Sequence, residues 1–152
     1  MAEELPSISL RTIGVVRNKV RQPPKPEYDW REVVSEIMVE ESLTEALDNL
    51  EEFSHIIVIY WLHHVAGRPA PSRVRPMGRP ENPQVGLFAS RSPSRPNPLG
   101  KATVRLLRRR GNVLTVLGLD AIDGTPVVDI KPYIPGYDSA DGATVPSWIS
   151  RR

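Results

Sequence analysis

The chain predicts a single, mostly β domain of barrel type, with short helical and irregular insertions. Three observations carry that reading. Short Val- and Ile-rich runs recur along the 152 residues, bounded by turn-forming residues in the way of strands. Only one segment shows apolar residues at helical spacing. Sixteen prolines and ten glycines punctuate the remainder too densely for long helices. Many short strands with dense turns point to a closed or nearly closed sheet.

The elements follow in order. Ile8–Val16 is apolar and β-branched and reads as a first strand. Arg17–Tyr28, with Gln22-Pro23-Pro24, reads as a surface loop. Val33–Val39 is a second strand. Ser42-Leu-Thr-Glu45 has the form of a capping box, and Leu43, Ala46, Leu47 and Leu50 follow on one helical face, so residues 43–50 are expected to be a short helix. Phe53–Leu62 is an almost unbroken apolar run and reads as a strand covered on both faces. Gly67–Asn82 is basic and too rich in proline for regular structure. Val85–Ser90 is a short strand. Ala102–Arg109 and Val113–Leu119 flank Arg110-Gly-Asn112, a hairpin signal. Asp120–Pro126 is a turn-rich connector, and Val127–Tyr133 is a last strand. Trp148 is expected to pack against the body and pin the C-terminal end.

Composition narrows the function. The chain has no cysteine, which excludes disulfides, thiolate metal sites and cysteine nucleophiles and fits a cytoplasmic protein. No tract is long and apolar enough to span a membrane, and the first residues lack the pattern of a signal peptide. The net charge is +2, but twelve of the eighteen acids fall within residues 1–52. Between Gly67 and Arg110 stand ten arginines and Lys101 against Glu81 alone, a local charge of +10. Arginine's planar fork suits phosphate and carboxylate, so a polyanion such as nucleic acid is the expected partner.

The most specific stretch is Arg91-Ser-Pro-Ser-Arg-Pro-Asn-Pro-Leu-Gly100. Its three prolines fix φ, remove three backbone donors and push the preceding residues toward extended conformations. The result is a stiff loop that presents Arg91, Arg95 and Asn97 on a preset surface. Other sites are absent from the pattern. No glycine-rich dinucleotide fingerprint or phosphate loop occurs, no nucleophile elbow occurs, and His55, His63 and His64 lack metal-ligand spacing. His55 reads as a satisfied core histidine, Tyr60 and Trp61 as core or interface. Arg105, Arg108, Arg109 and Arg110 read as an exposed hairpin face that either is merely solvated or meets an RNA backbone.

Val85-Gly-Leu-Phe-Ala-Ser-Arg-Ser-Pro-Ser-Arg-Pro-Asn-Pro-Leu-Gly100 and Leu119-Asp-Ala-Ile-Asp-Gly-Thr-Pro-Val-Val-Asp-Ile-Lys-Pro-Tyr133 closely resemble the TsaA-like, or TrmO-like, family of S-adenosylmethionine-dependent tRNA methyltransferases. Ile13-Gly-Val-Val-Arg17, Phe53-Ser-His55 and His63 fit in the same order. The resemblance covers about residues 8–136 and treats 1–152 as one catalytic domain, as in the shorter archaeal members. It implies a YaeB/TsaA-like β-barrel working as a homodimer, which transfers a methyl group to N6 of threonylcarbamoyladenosine at tRNA position 37. It also implies cofactor contacts at Gln22, Pro23, Pro24, His63, His64, Arg91, Lys101, Asp120, Ala121, Ile122 and Asp123. At His64 and Lys101 the chain departs from the bacterial pattern, so contacts there would run through backbone. Arg95 becomes a partner for the threonyl carboxylate, with Asn97, Lys131 and Tyr133 beside the substrate.

The chemistry is consistent with those residue types. A carboxylate at Asp120 or Asp123 can accept from ribose hydroxyls or an amine, although aspartate also shapes turns before a glycine. Arg91 can fork onto a carboxylate. Removing the acceptor nitrogen's proton calls for a base, and Asp129, Tyr133 and Asp138 are all open. Three alternatives stay beside this reading: an RNA-binding module without catalysis, a structural oligomerisation domain whose apolar strands form an interface, and a methyltransferase for another small acceptor.

Overall fold

The computed structural model describes residues 3–149. Six antiparallel strands close into a barrel in the order β1–β2–β7–β6–β3–β8. They are β1 (Gly14–Arg17), β2 (Val34–Val39), β3 (His55–Trp61), β6 (Leu99–Arg110), β7 (Val113–Leu117) and β8 (Pro126–Pro132). Two short strands, β4 (Arg73–Val74) and β5 (Val85–Gly86), form a separate ribbon outside the barrel. Closure leaves the barrel strands without a free edge.

Alternation explains why these residues are strands. Along β2, Ser35, Ile37 and Val39 point into the barrel while Val34, Glu36 and Met38 face out. Val16, Ile56, Val58, Tyr60, Val104, Leu106, Leu114, Val116 and Val127 complete the interior. Burying each such aliphatic side chain contributes about 1.5–3 kcal/mol. On the other face of β3, Ile57 is also buried, but His55 is exposed and Ile59 and Trp61 are half-buried, so the expected cover on both sides is only partial. The polar intruder Ser35 is 1% exposed, and its hydroxyl accepts from Asn18 Nδ2 at 2.9 Å.

The β6–β7 hairpin turns on Gly111-Asn112, as its sequence predicts, with Gly111 at φ +56°. Elsewhere the structure corrects the expectations. The first strand does not begin at Ile8. Its partner β2 ends at Val39, and Glu40 N donates to Ile13 O. Residues 3–12 form no strand, and Ile8 is exposed. The expected helix at 43–50 is instead two 3-10 segments, Glu41–Leu47 and Leu50–Glu52. Asn49, at φ +72°, breaks them; the N-cap position falls on Glu40, which makes no side-chain cap bond, and Ser42 lies inside the first segment. So short a segment gains little from helical propagation. Val85–Ser90 is strand only at Val85–Gly86, then a 3-10 turn at Leu87–Ala89. Trp148 is half-buried.

Arg109 departs from the exposed hairpin face expected of it. Its side chain is only 14% exposed. Nε donates to Gly111 O at 3.0 Å and Nη2 to Thr44 O at 3.3 Å, and ion pairs run to Asp48 at 3.2 Å and Glu51 at 3.3 Å. The Glu51 carboxyl is held below its usual range, first by a backbone hydrogen bond and then by Arg109. Arg109 thus pins the 3-10 segments to the barrel wall.

Candidate functional site

One end of the barrel carries the site. There β3 ends at Tyr60–Trp61, β6 begins at Leu99, and the β7–β8 connector crosses between them. The proline loop is tied to this end by its own backbone: Leu62 N donates to Pro98 O at 2.8 Å, and Leu99 N to Asn97 O at 2.7 Å. Inside the loop, Arg95 Nη1 donates to Ser90 O at 2.8 Å and Ser92 O at 3.2 Å. The arginine therefore braces the loop that presents it.

The connector is fastened just as firmly. Gly124 N donates to Val16 O and Asp123 N to Val20 O, at 2.8 and 2.7 Å. Asn18 Nδ2 donates to Ala121 O at 2.8 Å, and Asn18 N donates to Asp123 Oδ1 at 3.0 Å. Asn18 is the strut between β1 and the connector.

Between loop and connector lies an open cleft of about 550 Å³. Arg91, Ser92, Pro93 and Arg95 form one wall, and Asp120, Ala121 and Ile122 another. Pro23, Pro24, Lys25 and Trp30 close a third side. Tyr60, Leu62, Leu99 and Gly100 lie at the base, with His64 and Lys101 beside them. The lining combines apolar surface with four cationic side chains and one carboxylate. Arg91 and Lys101 are exposed, and neither makes a side-chain hydrogen bond or ion pair to the described residues.

Tyr60 organises the base of the cleft. It is 2% exposed, and its hydroxyl donates to Asp120 Oδ1 at 2.5 Å and to Asp120 O at 3.3 Å. Burial, followed by the Asp120 charge and hydrogen bond, pushes the phenol far above its ordinary pKa, so it remains a neutral donor. Gly100 is the register partner of Tyr60, and a Cβ there would lie 2.3 Å from Tyr60 Cε2. Glycine at 100 is what lets the ring lie flat across β6. His64 is held below the usual histidine pKa, by burial first and then by His63 and Arg68. Its Nδ1 is buried without a hydrogen-bond partner.

The structure thus brings Pro23, Pro24, His64, Arg91, Arg95, Lys101, Asp120, Ala121 and Ile122 to one cleft. It does not bring the others to the lining. Gln22 precedes the lining prolines and is exposed; His63 is exposed, its ring 5.9 Å from that of His64. Asp123 turns toward Asn18. Asn97 is exposed and contributes its carbonyl to the loop. Lys131 pairs with Asp129 at 3.0 Å along β8. Tyr133 lies at the opposite end of β3, its ring edge-on to His55. Asp129 borders a second, apolar recess of about 310 Å³ beside Leu43, Leu50 and Phe53. Asp138 Oδ2 accepts from Ile134 N at 2.8 Å, within the helical turn Pro135–Asp138. None of the three carboxyl or phenol groups considered as a base lines the cleft. Tyr60, Trp30 and Asn18 are residues that the sequence reading missed as parts of the site.

A closed antiparallel barrel with a stiff arginine loop and an aspartate connector at one end defines a compact barrel whose end cleft is lined by side chains of both charges. The family follows from comparison. Residues 15–139 match the model of the tRNA-methyltransferase O N-terminal domain, and the chain belongs to that family. A probable S-adenosyl-L-methionine-binding protein of Methanothermobacter thermautotrophicus is 45% identical over 134 residues, covering 87% of this chain and 94% of that protein. Another of that description, from Archaeoglobus fulgidus, is 44% identical over 91% of this chain but only 37% of its own length. A mouse tRNA (adenine(37)-N6)-methyltransferase is 40% identical over 100 residues, 66% of this chain and 23% of that protein. A crystal structure of TrmO superposes with TM-score 0.73 at 30% identity, covering 93% of this chain and 62% of that one. The chain therefore spans less than two thirds of several of the proteins it matches.

Proposed function

We propose that this chain binds S-adenosylmethionine in the cleft and transfers its methyl group to N6 of threonylcarbamoyladenosine at position 37 of tRNA. The observation that carries the reading is the convergence of Arg91 and Asp120 on one cleft with an apolar base. The donor set suits the cofactor. Arg91, with Lys25 or Lys101, can hold its carboxylate, Asp120 can accept from its ribose hydroxyls or amine, and Leu62, Leu99, Ala121 and Ile122 offer apolar contact. About 550 Å³ is in the range of ligand sites. When bound, the cofactor supplies an electrophilic methyl on a sulfonium centre. The protein's contribution is positional: a braced loop and a strutted connector hold donor and acceptor in line. His64 lines the cleft and is the candidate group to take the N6 proton; burial lowers its pKa, which makes it a weaker base than a free imidazole.

The basic segment from Arg68 to Arg110 would meet tRNA phosphates, with base selection left to the pocket. Arg95, although engaged with Ser90 and Ser92, lines the cleft and is the candidate partner for the threonyl carboxylate. The same reading has the protein act as a homodimer in the cytoplasm; exposed Leu5, Ile8 and Leu10 offer apolar surface for a second copy. Among the described residues no helix is long and apolar enough to cross a membrane.

The decisive experiment pairs calorimetry with S-adenosylmethionine and methyl-labelled transfer to tRNA with and without the threonylcarbamoyl group. Cofactor binding and transfer to the modified tRNA alone are expected. Equal transfer to both tRNAs would remove the threonylcarbamoyl requirement, and RNA binding without cofactor binding would leave only a binding module.

A further inference from the structure

Phe88 is an aromatic side chain that the cofactor cleft does not use. Its neighbour Leu87 is buried, and Leu87 N is tied to Ser72 O at 2.9 Å. The 3-10 turn Leu87–Ala89 thus roots itself through one side chain and leaves the next outside. Phe88 is 79% exposed. Large aromatic rings normally bury most of their area, so an outward ring on an anchored turn calls for a partner. The guanidinium carbon of Arg95 lies 5.7 Å from the ring centroid, within cation–π range. Arg95 is fixed by the Ser90 and Ser92 carbonyls and also lines the cleft. Phe88 therefore stands one side chain away from the cleft, with its orientation set from the cleft side.

The surroundings select the partner. Exposed Arg73 pairs with Gly86 in the ribbon that leads into the Phe88 turn, and exposed Arg91 follows Phe88 by three residues. A rigid aromatic face beside exposed cations is how proteins hold unstacked bases of single-stranded nucleic acid: charge tracks the phosphates and the ring takes a base. We infer that Phe88, backed by Arg95, is a stacking platform for an unpaired nucleobase beside the one that enters the cleft. This rests on the reading that RNA is the acceptor. It adds a second base site, which makes the enzyme select a loop in which two neighbouring bases are splayed, rather than a helix.

The test uses the full chain, with Phe88 changed to Ala, Leu or Trp. The readouts are binding of a short single-stranded RNA and of a duplex of the same sequence across a range of salt. Stacking is salt-insensitive, whereas phosphate contacts set the salt slope. For Phe88→Ala, single-strand affinity is expected to fall roughly five- to 100-fold, with the salt slope and duplex affinity unchanged. Phe88→Trp should retain the affinity and Phe88→Leu should not. Calorimetric affinity for S-adenosylmethionine should match wild type in all three variants. Its absence in the wild-type protein would end the cofactor reading while the RNA comparison still decided the role of Phe88. Full retention in Phe88→Ala or in Phe88→Leu would overturn the platform, as would wild-type protein that binds no single strand. Conversion of a dimer to a monomer by Phe88→Ala would overturn it too, assigning the ring to an interface between copies.

Discussion

Gly100→Ala is expected to lower the stability of the fold by about 1–3 kcal/mol, the usual cost of forcing an extra methyl into a packed site. In a domain of this length that corresponds to a fall of several degrees in Tm. The added Cβ would lie 2.3 and 2.5 Å from Tyr60 Cε2 and Cζ. Tyr60 is 2% exposed and sits within the barrel core, so its ring can yield only toward the cleft, at the cost of its bond to Asp120. Because the Tyr60 hydroxyl holds Asp120, the same change should weaken cofactor binding. A double-mutant cycle with Tyr60→Leu checks the cause. Removing the ring should absorb most of the alanine penalty, giving strong non-additivity. Additive losses, or a Gly100→Ala protein as stable as wild type, would show that the ring and strand β6 are not in conflict.

Asp120 carries the other large effect. Asp120→Asn keeps an acceptor for Tyr60 but removes the cleft's carboxylate. The fold should hold, while affinity for S-adenosylmethionine should drop ten- to 100-fold, the worth of a hydrogen bond to a charged group of about 1.5–3 kcal/mol. Asp120→Ala should add a loss of stability, since Tyr60 then keeps only the Asp120 carbonyl at 3.3 Å. The pH dependence has a definite sign. The phenol's folded-state pKa is raised above its ordinary 10.0, so folding favours the protonated form. That contribution is complete below about pH 10 and is lost as pH rises beyond it. Tyr60→Phe should flatten this alkaline decline. Denaturant unfolding at several pH values and calorimetry read all of these effects, and unchanged cofactor affinity in Asp120→Asn would take Asp120 out of the site.

The sequence made some of this legible because the signals are local. The β-branched run at 33–39 gives β2, Gly111-Asn112 gives the hairpin, and three prolines give the shaped loop. Asp120 and Asp123 looked equivalent on a turn, yet one meets the Tyr60 hydroxyl at the cleft and the other turns to Asn18. What separates them is a long-range partner, which no local pattern encodes. Tyr60 was hidden for the same reason: within an apolar run its ring reads as core, and only the fold brings its hydroxyl to residue 120. Lys131 and Tyr133 lie in the same motif as Asp120 but travel along β8 to or toward the far end of the barrel. The N-terminal run looked like strand because composition cannot show that its partner stops at Val39.

The barrel also has an uneven weld. β3 and β6 are matched from His55–Arg105 through Trp61–Leu99, whereas β1 and β8 meet only at Gly14–Val127 and Val15–Pro126. What extends that thin joint is the connector, through Val16 N to Thr125 O and Gly124 N to Val16 O. The clasp that shuts the cylinder and the wall that bears Asp120 are thus one piece of chain. A small molecule that grips this wall tightens the hoop as it binds, so ligand occupancy should register as heat resistance of the whole molecule.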